Sequence, residues 1–438
     1  MKNQLLTKIV LLIGFMLVAI GIACAQGEKN TVAGVAFSTA AILLYVGMFA
    51  LTKLVLNIPG ILSLFWLGGI GVASFKLSHL SSKWENETWI ALIGFYAVFI
   101  ATYFLVDKIK TKTTYHNQTE ISNEKLFKSI IILTTITTLA FLAEVFILGY
   151  IPIATKNTPH AYSYFHVTGI HYFTVSTVFI IPLAYLYRKK TKENTITIFL
   201  CCLLSILIPI MCVSRFFVMV TIILTMFVVI HEQKQINAKK TFLIIGIALI
   251  ILVPLYVLVT YFRSHSVAYL NEIFEMKNQN IPIFITQPYM YIANNFENLN
   301  CLVRDCTGLL HGRRMLFPFF ALTGLKFIFP ESFLVTETIY ITKKELTTLT
   351  LIYDSYFDFG VVGVLVFGVL LGGVGAFLTK KMLHTQNPFA KLLYLQFVVY
   401  MMLSFFTTWF SNPTTWFWFV LTIAGWIYTS PIRLKERT

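Results

Sequence analysis

Charge is scarce in this chain. Lys, Arg, Asp and Glu together make up only 12% of its 438 residues, while 57% are apolar. That balance excludes a soluble domain of this size, which needs far more charge to solvate its surface. Acid is scarcer than base, 19 side chains against 34, and only four of the acids are aspartates: Asp107, Asp305, Asp354 and Asp358. No two of them lie one residue apart, so the aspartate pair that holds a divalent ion on a nucleotide-sugar donor is absent.

Other signatures are missing as well. No G-x-S-x-G elbow is present, so a Ser-His-Asp hydrolase is not signalled. Gly360, Gly363, Gly368, Gly372, Gly373 and Gly375 fall in one apolar run without the strand that precedes a dinucleotide fingerprint. Their spacing reads as close helix packing. Of six cysteines, Cys24, Cys201, Cys202 and Cys212 lie within or beside apolar runs and read as small apolar residues. Cys301 and Cys306 share the polar segment CLVRDC and can pair if it faces an oxidising compartment. No histidine pair stands at ligand spacing, so neither a metal site nor a cofactor is expected.

What the sequence has instead is long apolar runs. Twelve are read as membrane-spanning helices, at about 8–25, 32–52, 59–76, 88–106, 129–150, 172–187, 195–213, 216–231, 241–262, 355–378, 391–410 and 414–430. Their unbroken apolarity excludes barrel strands, which alternate. The first run follows Lys2 and Lys8 and ends in Ala23-Cys24-Ala25, which mimics a signal-peptide cleavage site; its length favours a retained helix. The fold class expected is all-α and polytopic, one membrane domain over 1–438.

The net charge of +15 is spread in short clusters between the runs, not over one basic surface, so no nucleic-acid partner is expected. Clusters such as Lys108-Ile-Lys110-Thr-Lys112, Arg188-Lys189-Lys190, Lys239-Lys240 and Lys380-Lys381 fall on one parity of loops. Positive charge marks the cytoplasmic side, which places both termini inside. The long connection at about 263–350, between the ninth and tenth spans, then lies outside, and a loop of that length is usually functional. Within it Leu316 to Phe333 is apolar but broken by Pro318, Gly324 and Pro330, as expected of short interfacial helices or a re-entrant pair.

Arginine runs against that bias. Of eight, Arg215, Arg263, Arg304, Arg313 and Arg314 fall on the outer side. A planar guanidinium grips two anionic oxygens as an ammonium does not, so a phosphate or pyrophosphate ligand is indicated. Arg215, in Cys-Val-Ser-Arg-Phe between two runs, is the sharpest of these, although a snorkelling side chain at a tight turn fits the position too. Arg263, Arg313 and Arg314 are further pyrophosphate candidates or headgroup anchors. Asp354 and Asp358, four apart and on one helix face, are charge partners or include a base. His160, His166, His171, His265 and His311 lie outside, and an imidazole can take a hydroxyl proton near neutral pH. Outer-loop aromatics such as Tyr269, Tyr289, Tyr291 and Phe296 form an interfacial belt or stack on sugar rings.

The order of these features resembles the Wzy-type O-antigen and capsule repeat-unit polymerases. Gly149-Tyr150-Ile151-Pro152 followed by Gly169-Ile170-His171 is similar to their first outer-loop motif, and Ser214-Arg215 to their intramembrane arginine motif. Tyr291 through Leu299, with Asn295 and Glu297, resembles their long-loop signature. Tyr353 through Gly363, with Asp358-Phe359-Gly360, resembles the start of the following span. The likeness covers about Gly149 to Gly375.

It implies a metal-independent glycosyltransferase with a GT-C-like helical fold in the bacterial inner membrane. The donor and acceptor would be undecaprenyl-pyrophosphate-linked oligosaccharides, and membrane lipids, a chain-length regulator and a flippase would be partners. Arg215, His171 and Asp354 are the catalytic candidates it suggests, with His171 the preferred base. Tyr291, Asn295, Glu297, Tyr353 and Asp358 are the substrate-binding candidates. An O-antigen ligase, a polysaccharide flippase and a non-enzymatic scaffold are the competing readings.

Overall fold

The computed structural model describes residues 2–109, 122–155, 161–233, 237–261, 267–333, 338–382 and 385–430. Helix occupies most of each of the twelve apolar segments. The first nine carry α1 (Lys2–Gln26), α2 (Asn30–Thr52), α3 (Ile58–Ser74), α4 (Asn86–Lys108), α5 (Asn123–Leu148), α6 (Ile170–Lys190), α7 (Thr195–Met211), α8 (Arg215–His231) and α9 (Ala238–Tyr261). The long connection holds α10 (Val267–Phe274), α11 (Ile283–Asp305) and α12 (Arg313–Leu322). Then come α13 (Tyr353–Met382), α14 (Pro388–Met402) and α15 (Pro413–Thr429). Among the described residues the only β pairing is an isolated bridge between Ser78 and Met276, so the fold is all-α.

Among the described residues six helices, α1, α2, α4, α5, α6 and α13, are long and apolar enough to cross a membrane by length and composition. α3, α7, α8 and α14 are apolar but shorter. Large apolar side chains stand exposed along them, Phe146 at 90% and Leu370 at 60%, as lipid-facing residues do and solvated ones do not.

The chain forms two compact units of interleaved segments. One comprises Met1–Thr111, Ser266–Lys380 and Tyr400–Trp416, and the other Lys112–His265, Lys381–Val399 and Phe417–Thr438. In the first, α13 packs closely on α4: a Cβ on Gly372 would stand 2.5 Å from the Phe99 carbonyl oxygen, so only glycine fits there. Gly360 has φ +61° and ψ −153° and kinks α13.

Two expectations change here. The 263–350 connection is not only surface helices, because α11 is a 23-residue helix whose Asn294, Asn295, Glu297, Asn298 and Asn300 are buried. Their polarity reads as loop in sequence, yet each has a protein partner inside. Asn298 donates to the Leu346 and Thr348 carbonyls at 2.8 and 2.9 Å, and Asn300 accepts from Thr88 at 2.7 Å. The helix expected over 391–410 stops at Met402. The chain past it is irregular, and Asn295 Nδ2 donates to the freed Phe405 carbonyl at 2.9 Å. Beyond α12, turns at Leu325–Ile328 and Pro330–Phe333 break at Gly324 and Pro330 as the sequence indicates.

Candidate functional site

In the second unit a carboxylate is buried inside an apolar helix. Glu144, near the end of α5, has no exposed surface. A lone charge there is costly unless it is fully bonded. Glu144 accepts the Val167 backbone N–H at 2.9 Å and the Thr174 hydroxyl at 2.7 Å. His171 Nδ1 lies 3.0 Å from Oε1 and 3.2 Å from Oε2. An ionised carboxylate can only accept, so Nδ1 is then the donor of this pair, and in the neutral imidazole the lone pair stands on Nε2. The His171 side chain is 21% exposed.

Local sequence sets this geometry. Gly169, at φ +87°, turns the chain into α6, and His171 donates its backbone N–H to the Val167 carbonyl at 3.0 Å. Gly149, at φ +75°, ends α5. Phe141 of α5, Phe165, Ile208 and Cys212 form one buried cluster, with Val145, Tyr150 and Ile151 packed against it. The end of α5 that carries Glu144 and the α7–α8 turn therefore share one apolar anchor.

That turn carries Arg215. Val213 takes φ +53°, Ser214 donates its backbone N–H to the Pro209 carbonyl at 2.9 Å, and the Ser214 hydroxyl accepts the Phe217 N–H at 3.4 Å as the cap of α8. Arg215 is the first residue of α8. Phe217, two residues on, sets its ring edge-to-face with His171, centroids 6.3 Å apart. The structure thus brings the Arg215 turn beside the Glu144–His171 pair.

A second polar cluster lies in the first unit. Asp354 and Asp358 share one face of α13 and both are buried. Asp354 binds Arg314 Nε and the Ser411 hydroxyl. Asp358 accepts the backbone N–H groups of Arg314 at 3.2 Å and Met315 at 2.7 Å, so it caps α12 from a different helix. The Arg314 guanidinium also lies 5.4 Å from the centre of the Phe357 ring. Arg313 begins α12 and is partly exposed; Arg263 lies outside the described residues.

The long-loop residues are committed to protein partners. Glu297 binds Lys76 Nζ at 2.5 Å, the Trp84 indole N–H at 2.9 Å and the Ser82 backbone N–H at 3.0 Å. Asn295 donates to the Tyr291 and Phe405 carbonyls and accepts from Thr348. Tyr353 donates to the Tyr340 carbonyl at 2.9 Å and accepts its N–H at 2.8 Å. Tyr291 is half-buried beside Phe406, ring centroids 5.9 Å apart. Cys301 and Cys306 are free thiols, the first buried in α11.

Sequence reasoning passed over Glu144. The available signal was a carboxylate well inside an otherwise apolar span, which by itself points to function.

No curated protein and no solved structure matches the chain. The family model described as "Putative O-antigen polymerase" matches residues 3–407, a stretch that encloses Glu144, His171, Arg215, Arg314 and Asp354, and the chain belongs to that family.

Proposed function

We propose that the chain polymerises undecaprenyl-pyrophosphate-linked oligosaccharide repeat units at the outer face of the bacterial inner membrane, with both termini in the cytoplasm. The growing chain passes from its lipid pyrophosphate to a sugar hydroxyl on a new lipid-linked repeat unit. His171 Nε2 takes the proton of that hydroxyl as the oxygen bonds to the anomeric carbon. The bond from that carbon to the pyrophosphate oxygen breaks, and its electron pair leaves with the lipid pyrophosphate. Arg215 meets the developing charge. Glu144 holds the imidazole in the tautomer that accepts at Nε2 and stabilises the imidazolium that forms.

The observation that carries this reading is the Glu144–His171 pair beside the Arg215 turn. Asp354 is a weaker base, because Arg314 and Ser411 already occupy it. The position of Arg215 favours an anion. At about 1.5 Å per residue, α7 and α8, 17 residues each, reach roughly 25 Å against a hydrocarbon core of about 30 Å. Counted from the cytoplasmic edge, their turn falls about 5 Å short of the outer edge of that core, where a guanidinium is costly unless an anion partners it. A cation on the first residue of a helix opposes the helix dipole, whereas an anion there meets both the guanidinium and the N-terminal N–H groups.

Arg263 is a further pyrophosphate contact of this proposal. In the first unit, taken by itself, Arg313 and Arg314 are pyrophosphate or headgroup contacts and Tyr291 offers a ring to a sugar. Asn295, Glu297, Tyr353 and Asp358 hold the framework behind those contacts. In this scheme arginine and not a divalent ion neutralises the leaving group, so purified protein keeps its activity in EDTA; complete loss restored by magnesium or manganese would remove that element. A flippase that delivers repeat units and a chain-length regulator are the protein partners the scheme needs.

The deciding experiment is a deletion strain complemented with wild-type or His171→Ala protein. Loss of long chains with single capped repeats retained supports the polymerase. Loss of all capping means a ligase, and lipid-linked repeats accumulating inside mean a flippase.

A further inference from the structure

An apolar groove of about 340 Å³ runs beside α8 in the second unit, walled by residues of α6, α7, α8 and α9. Val218, Ile222 and Val229 of α8 line it, facing Ile244 and Ile251 of α9, with Pro209 of α7 at one end. No charged side chain takes part. Three hydroxyls among its lining residues are turned back to backbone: Ser205 donates to the Thr177 carbonyl at 2.8 Å, Thr221 to Phe217 at 2.8 Å and Thr225 to Thr221 at 2.7 Å. With its hydroxyl protons spent in this way, the surface the groove presents is hydrocarbon.

Its register is set by Arg215. Val218, Ile222, Thr225 and Val229 follow Arg215 at i+3, i+7, i+10 and i+14, which is one face of a helix. The groove is therefore the continuation, below the first turn, of the face that carries the guanidinium. From Val218 to Val229 it extends roughly 16 Å at about 1.5 Å per residue.

We infer that this groove seats the polyprenyl tail of the lipid whose pyrophosphate Arg215 takes, an inference that rests on the reading of Arg215 given above. Hydrocarbon begins at the carbon bonded to the phosphate oxygen in a polyprenyl pyrophosphate. That matches a wall that turns apolar one helical turn, about 5 Å, past Arg215. A glycerophospholipid puts a glycerol and two ester groups at that depth, against a wall whose hydroxyl protons are already donated, and it brings two chains to a single groove.

The test uses purified full-length protein and two lipid-linked donors, identical in sugar, one with the full polyprenyl tail and one with a geranyl tail. Val229→Trp fills the far end of the groove, about 21 Å along α8 from Arg215 and beyond the reach of two isoprene units, without touching Arg215. It should weaken use of the long-tail donor by about tenfold or more, read in KM, the scale on which a few buried methylenes count. Use of the geranyl donor should be unchanged, which also shows that the variant is folded. Equal loss on both donors, or no loss on either, overturns the groove. A diazirine-bearing polyprenyl phosphate gives a second measurement. It should label the α8 peptide despite excess phosphatidylglycerol; labelling abolished by phosphatidylglycerol means an ordinary lipid seat and also overturns the inference. Arg215→Lys separates the two readings. If it is inactive on both donors while Val229→Trp ignores tail length, the groove alone fails. If Arg215→Lys is fully active, the assignment of Arg215 fails.

Discussion

Glu144, with no surface of its own, receives the imidazole of His171 at 3.0 Å across 27 residues of chain. The pair predicts a graded mutational series. His171→Ala removes the base and should lower the polymerisation rate by about 100-fold or more, within the usual range for general base catalysis. Glu144→Ala releases the ring and should approach the same loss. Glu144→Gln keeps an acceptor for Nδ1–H but not the charge, and should retain more activity than either. Initial rates of purified protein decide it: a fully active Glu144→Gln together with a fully active Glu144→Ala makes the pair structural.

The Arg314–Asp354 pair in the other unit predicts an effect on stability. Both side chains are largely buried, at 13% and 4% exposure. Removing one partner of a buried pair leaves an uncompensated charge and commonly costs about 3–5 kcal/mol, whereas replacing both with apolar residues costs much less. Asp354→Leu should therefore lower the thermal unfolding temperature in detergent more than Arg314→Leu/Asp354→Leu does. Equal losses from the single and double variants would show that the pair is not coupled.

Much of the helical framework was legible in the sequence, because an apolar run states the period and the burial at once. Arg215 and His171 stand out in the sequence as candidates, the first as a charge between two apolar runs and the second through the resemblance of Gly169-Ile170-His171 to an outer-loop motif of the family. Glu144 was signalled only as a carboxylate in an apolar span; its role shows once folding brings Val167, His171 and Thr174 to it. α11 was missed for the opposite reason: Asn294, Asn295, Glu297, Asn298 and Asn300 look solvated until their partners are known. Past the helix break after Met402, the freed Phe405 carbonyl is met by Asn295, 110 residues earlier in the chain, a partner no local pattern announces.

Glu232, just past the end of α8, gives a pH dependence. Burial raises its pKa, but hydrogen bonds and charge from Lys189 and Lys391, each at 2.5 Å, outweigh burial and hold the carboxyl below its usual range. A depressed folded-state value contributes stability above the ordinary carboxylate pKa, and that stability is lost as pH falls through the depressed value. As pH falls from 7 to below about 4, through the depressed value, the wild type should lose more thermal stability than Glu232→Gln, which lacks the titrating group. Parallel pH curves for the two proteins would remove Glu232 as the source.

Cysteine accessibility tests the orientation. Cys306 is partly exposed and Cys301 is 8% exposed within α11. In intact spheroplasts a membrane-impermeant maleimide should label Cys306 readily and Cys301 only after denaturation. A cysteine at exposed Lys381 should stay unlabelled until the membrane is opened. Labelling at 381 from outside overturns the orientation and with it the outer-face assignment of the site.

Arg215→Lys is the sharpest test of the chemistry. The substitution keeps the positive charge at the α7–α8 turn, and the Ser214 cap and the Cys212 packing do not depend on the guanidinium. Topology and helix formation are therefore expected to survive, which membrane-fraction immunoblots can confirm. What the substitution removes is the planar fork, which reaches two oxygens of one phosphate where an ammonium acts as a point charge. Loss of one donor aimed at developing charge commonly costs about 100-fold or more in rate. Long polymer should therefore disappear while single repeat units are still attached and exported. Arg313→Lys should be milder, because a headgroup anchor needs charge and not a fork. Normal polymer from Arg215→Lys at normal protein level would make Arg215 a topological residue and leave the leaving group without its cation.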